Sequence, residues 1–180
     1  MFNALEAILI CLVMQAALTD LSIRKIPNVL VLSGLILALV LHLLAGPAWS
    51  PLTAWLAGAA AGFFLFLPLY LLRGMAAGDV KLMAMVGAFV GPLAALEIGL
   101  LTFLAGGLLA LLMLVASGRF GACWRNVRAM LKPLLWRLAG VPLLPVPLPK
   151  GDSVGGMPYA VAIAAATTLF VAWTPSGLCF

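Results

Sequence analysis

The chain has 180 residues, 66% of them hydrophobic and only 8% charged, with a mean hydropathy of +1.25. A soluble globular domain carries about 25% charged residues, so this composition excludes a water-soluble fold and indicates one compact helical domain in a bilayer. The net charge of +5 does not indicate nucleic acid, because the basic residues flank apolar segments, where topology and lipid head groups account for them.

A transmembrane helix needs roughly 20 apolar residues. By that measure six helices are predicted, near residues 2–19, 27–45, 51–72, 79–92, 94–116 and 154–174. No Lys or Arg precedes the first apolar stretch, and Glu6 lies where a basic segment would begin a signal peptide, so this helix is expected to stay in the mature protein. Pro27 and Pro51 open the second and third helices, where a missing N–H costs nothing. Gly74 to Asp79 separates the third from the fourth, and Gly91-Pro92 separates the fourth from the fifth. The fourth helix is short, and both a tilt and a kinked merger with the fifth are compatible with it. Gly58 and Gly62, and Gly87 and Gly91, have the GxxxG spacing that lets helices approach closely. Both motifs are expected to pack within the chain rather than between copies.

All ten basic residues fall in odd-numbered loops: Arg24 and Lys25, then Arg73 and Lys81 around the third link, then six from Arg119 to Lys150. The positive-inside rule puts those loops in the cytoplasm and both termini in the periplasm. The long loop 117–153 then lies on the cytoplasmic side. Its residues 120–139 mix basic and apolar positions like a helix in the head-group layer, and residues 141–149 carry four prolines and read as an extended linker.

Five acidic residues occur: Glu6, Asp20, Asp79, Glu97 and Asp152. Asp20 and Asp79 each lie at the boundary of an apolar run on the cytoplasmic side, where an ionisable group is costly and hence a functional candidate. Each also has a plain structural reading. Asp20 can pair with Arg24 four residues on, and Asp79 can cap a helix. As a pair, two carboxylates cannot both ionise easily, so they share a proton; the ionised one takes a proton from water while the other donates. Gly78 would let the backbone pass close to another helix, and Lys81 would favour an ionised Asp79. Asp152 reads as a solvated loop acid or as a third group near the site. His42, the one histidine, has no nucleophile motif beside it and reads as a packing or interface residue. Cys11, Cys123 and Cys179 are isolated, with no CxxC pair, so no zinc site is implied.

The order Thr19-Asp20, Pro27-Asn28, Gly78-Asp79-Val80-Lys81 and Pro158-Tyr159 resembles the prepilin peptidase family, and most closely its short TadV/CpaA-type branch, which serves Flp-type (tight-adherence) pili. These are aspartic proteases of the GxGD type with two essential aspartates. The resemblance maps that pair onto Asp20 and Asp79, with Gly78 and Lys81 in support. It implies an all-α, polytopic inner-membrane endopeptidase, residues 1–180 forming a single domain. Such an enzyme removes the leader of prepilins or pseudopilins at the cytoplasmic face, with no metal and no cofactor. The pattern departs in one place: Ala76 stands where GxGD has its first glycine, and alanine does not freely take positive φ. Larger members carry a segment with CxxC pairs and also methylate the new amino terminus; the chain has no such pairs, so methyl transfer is not expected. Two other readings fit the intramembrane acids. One is a proton-coupled transporter, and the other a non-catalytic subunit of a pilus or secretion machine.

Overall fold

A computed structural model describes residues 4–45, 49–72, 74–118 and 159–174, with Gly121 and Arg128. The described residues form six helices: α1 (Ala4–Ile23), α2 (Asn28–Ala45), α3 (Trp49–Leu71), α4 (Ala77–Val90), α5 (Pro92–Ser117) and α6 (Tyr159–Trp173). The expectations for the 120–139 helix, the 141–149 linker, Asp152, Cys123 and Cys179 lie outside the described residues. Three stretches are long and apolar enough to cross a membrane: Leu5–Ile23, Leu52–Leu71 and Pro92–Ala116. Asn28–Leu44 and Tyr159–Trp173 are apolar but shorter.

The chain divides into two compact units, Met1–Gly107 with Pro158–Phe180, and Leu108–Met157. The first holds α1 to α4, α6 and the first part of α5. The described part of the second is mainly the end of α5, whose Leu108, Leu111 and Leu112 are exposed.

Helix α4 is the centre of the first unit. It packs on α1, α2, α3 and α6. From Asp79 to Val90 every residue is buried except Lys81. A helix apolar on all sides belongs in such a position. Its 14 residues give a length of about 21 Å at about 1.5 Å per residue, short of the roughly 30 Å hydrocarbon core.

The α3–α4 contact is made by backbone. A Cβ on Gly58 would run into the Gly87 carbonyl, one on Gly87 into the Gly58 carbonyl, and one on Gly62 into the Met83 carbonyl. The two GxxxG motifs therefore face each other, and the expectation of packing within the chain holds. Side chains close the remaining surfaces. Phe66 of α3 stacks on Phe103 of α5, ring centroids 4.9 Å apart. Trp55 Nε1 donates to the Leu35 carbonyl across α3 and α2 at 3.0 Å. Buried hydroxyls are satisfied within their own helices: Thr102 donates to the Ile98 carbonyl and Thr167 to the Ile163 carbonyl, both at 2.7 Å.

Helix ends follow local chemistry. The Gly74 N–H reaches back to the Leu69 carbonyl at 2.9 Å, the six-residue closure that ends many helices. The break between α4 and α5 is real, so the fourth and fifth helices do not merge. Gly91 has φ 82° and ψ 174°, a region open essentially to glycine, and Pro92 then begins α5. A Cβ on Gly91 would meet nothing within 4 Å, so Gly91→Ala isolates the conformational term. We expect it to lower stability by about 1–3 kcal/mol, read as an earlier thermal transition in detergent.

Candidate active site

Asp20 does not follow α1 but lies within it, one turn from the end. The Arg24 N–H donates to the Asp20 carbonyl at 2.9 Å, and Arg24 itself turns left-handed at φ 53°. This ends the helix and aims Lys25, Ile26 and Pro27 toward α2. The Thr19 hydroxyl turns back to the Ala16 carbonyl at 2.9 Å, so the hydroxyl of the Thr-Asp motif serves the helix. The Asp20 carboxylate lies near the backbone N–H of Ala160 and within electrostatic reach of Arg24. Ala160 belongs to the first turn of α6, where helix N–H groups have no partner in their own helix. A carboxylate near that turn meets the positive end of the helix dipole.

Asp79 occupies the first turn of α4 and is only 4% exposed. Ala76, not Asp79, is the N-cap residue. Asp79 Oδ2 accepts the Ala76 N–H at 3.3 Å. Alanine has no oxygen to return the bond, so only one half of a capping box forms. The capping role expected of Asp79 thus exists, but from three residues inside the cap position.

The structure brings these two acids together. Asp20 of α1 and Asp79 of α4 act on each other electrostatically, and the Tyr159 phenol at the start of α6 feels Asp79 as well. The constellation is two carboxylates from different helices, closed by the N-terminal turn of a third. Pro158-Tyr159 belongs to the motif order noted in the sequence, but nothing there placed Tyr159 or Ala160 beside the acids; Pro158 ahead of an apolar run marks only a helix start.

The two supporting residues face the α1–α2 link and α2. A Cβ on Gly78 would come 3.4 Å from Ile26, an ordinary contact with the α1–α2 link rather than with another helix. Close approach therefore does not explain the glycine, and we expect Gly78→Ala to be tolerated within about 1 kcal/mol, measured by thermal melting. Lys81 Nζ donates to Asn28 Oδ1 at 3.0 Å and ties α4 to α2. Ala76 has φ −81° and ψ 152°, extended backbone that alanine adopts freely. The missing first glycine of GxGD is no obstacle to this geometry.

The other buried ionisable groups lie elsewhere. Glu6 is 14 residues from Asp20 along α1, about 21 Å at about 1.5 Å per residue. His42 is buried near the far end of α2, where its Nε2 donates to the Ala88 carbonyl at 2.9 Å. It satisfies one of the last carbonyls of α4, which have no helical partner, and this packing role is the one expected. Among the described residues, no group of three or more His, Cys, Asp or Glu is placed to hold a metal ion.

Residues 7–113, more than half of the chain, match the type IV leader peptidase family, and both aspartates lie in that span. The chain belongs to the type IV leader peptidase family. It is thus a peptidase, a hydrolase, from a family of membrane proteins that act on prepilins in general. No curated protein and no solved structure matches this leader peptidase. Tyr159 lies beyond the matched span, so its place beside the acids is an observation from the fold alone.

Proposed function

We propose that the chain is an aspartic endopeptidase of the short TadV/CpaA type, with Asp20 and Asp79 as its catalytic pair. It removes the leader of Flp-type prepilins or pseudopilins at the cytoplasmic face of the bacterial inner membrane. The observation that carries this reading is the electrostatic coupling of Asp20 and Asp79 across α1 and α4 in a chain of the leader peptidase family.

The chemistry needs no metal. One carboxylate takes a proton from a water, whose oxygen attacks the scissile carbonyl carbon; the other carboxyl gives its proton to the carbonyl oxygen. The tetrahedral diol then collapses, the C–N bond breaks and the leaving amine takes up a proton. The pair returns to one proton between two carboxyls. Because one group must be ionised and the other protonated, the leader-removal rate should follow a bell-shaped pH profile. A rate that rises monotonically into alkaline pH would overturn the two-carboxyl mechanism.

The distribution of basic residues supports six spans with both termini periplasmic. The substrate's apolar helix docks laterally, and that positioning supplies part of the rate. The six basic residues from Arg119 to Lys150 suit acidic lipid as a partner. Lys81 supports the site by holding α4 to α2. The decisive experiment is co-expression with an Flp-type prepilin, leader removal being read by mass beside the two aspartate variants. Proton flux in liposomes that either aspartate change abolishes would favour the transporter instead.

A further inference from the structure

The side of α4 away from the aspartates carries a second feature. A groove of about 360 Å³ lies among α2, α3 and α4. Leu32, Leu35 and Phe63 are among the residues that wall it, and Lys81 and Asn28 form its polar end. Lys81 and Asp79 are two residues apart, about 200° around the helix at about 100° per residue, so the groove and the acid pair open on different sides of α4. We propose that this groove binds one anionic phospholipid, its phosphate on Lys81 and Asn28 and one acyl chain along the apolar walls.

Donor geometry favours a phosphate. Lys81 gives one of its three N–H groups to Asn28 Oδ1. The bond fixes the Asn28 amide so that its oxygen faces the ammonium and its NH2 is left to donate elsewhere. Two ammonium N–H groups and the amide NH2 thus remain at one end of the groove, a donor set matched to phosphate oxygens. Asn28 is neutral, so it holds the ammonium without compensating its charge. Basic pockets between membrane helices on the cytoplasmic side take phosphate head groups for this reason.

Size selects a lipid chain over a peptide helix. A helix is roughly 10 Å across with side chains, and one of that width would fill the groove in about one turn. A narrow hydrocarbon chain fits along it. Leu32 is 60% and Phe63 37% exposed, so the groove opens sideways along its apolar length.

Binding is read without substrate, so this proposal stands or falls apart from the peptidase reading. The purified full chain in detergent is titrated with phosphatidylglycerol or phosphatidylcholine, and retained lipid is counted by native mass spectrometry. Wild type is expected to retain phosphatidylglycerol over phosphatidylcholine by about fivefold, the worth of one Lys near an anionic surface. Lys81→Gln should lose that preference, and Lys81→Arg should keep it. Leu32→Trp, which fills the groove from its exposed wall, should lower retention of both lipids. Glycerol phosphate, which has no acyl chain, should displace neither. Equal retention of the two lipids by wild type, or an undiminished preference in folded Lys81→Gln, would overturn the proposal. So would displacement by glycerol phosphate, which would make the site one for free phosphate.

Discussion

Asp79→Asn is expected to abolish leader removal and to leave the fold intact. Asparagine is nearly isosteric with aspartate, and its Oδ1 can still accept the Ala76 N–H that Asp79 Oδ2 accepts at 3.3 Å. The α4 start therefore survives. What disappears is the group that can exchange a proton with Asp20. General acid–base catalysis by a positioned side chain is worth roughly 10²–10⁴ in rate, and the loss should fall at the upper end if the proposed pair acts as a unit. Asp20→Asn should cost as much. Its amide is nearly isosteric with the carboxylate, and α6 packs on α1 along the helices, so that contact is kept. The double variant should then be no slower than either single one, the signature of a shared device. Melting in detergent checks the fold, and single-turnover cleavage of a purified prepilin checks the rate. Wild-type cleavage by folded Asp79→Asn would end the aspartic mechanism, while leaving membership of the peptidase family untouched.

Gly87→Leu should be the most destabilising single change outside the site. A Cβ at Gly87 would run into the Gly58 carbonyl, and backbone cannot rotate aside as a side chain can. Overpacking a core costs about 1–3 kcal/mol where neighbours can shift; here α3 and α4 would have to separate along their crossing, so the cost should reach at least the top of that range. Gly58→Leu should behave alike, since the contact is reciprocal. Two contrasts make the expectation specific. At Gly34 an added Cβ meets the Met85 side chain, which is flexible, so Gly34→Ala should be milder than Gly87→Ala. At Gly107 nothing lies within 4 Å, and Gly107→Ala should be neutral or slightly stabilising. A detergent melting series over these variants checks the order. Gly87→Leu melting with the wild type would contradict the backbone contact.

The legible parts of this protein are those governed by hydropathy and punctuation. Six helices follow from apolar runs and from Pro27, Gly74 and Gly91-Pro92, whose chemistry is local. The two acids stood out because carboxylates are rare and costly in such a chain. Helix ends were less legible: α1 continues to Ile23 because the Arg24 backbone turns left-handed there, and no local residue type announces that turn. The N-cap of α4 fell on Ala76, which has no capping side chain, because Asp79 reaches back to it. Partners across the fold were the hardest to read. Nothing in the spacing said that Lys81 would find Asn28, 53 positions away, or that the first turn of α6 would close on Asp20. Such contacts depend on which faces of buried helices meet, and a helix apolar on every side has no pattern to declare its neighbours.

The glycine crossing also fixes a depth. Gly62 of α3 bears on the backbone of Met83, four residues along α4 from Asp79, or about 6 Å at about 1.5 Å per residue. Backbone locked on backbone leaves α4 no side-chain cushion along which to slide. A slip of one residue would carry Asp79 about 1.5 Å along the helix axis and bring a different stretch of an incoming chain level with it. If the proposed pair is the catalytic one, the crossing would act as a ruler, setting the depth at which the acids meet an incoming chain.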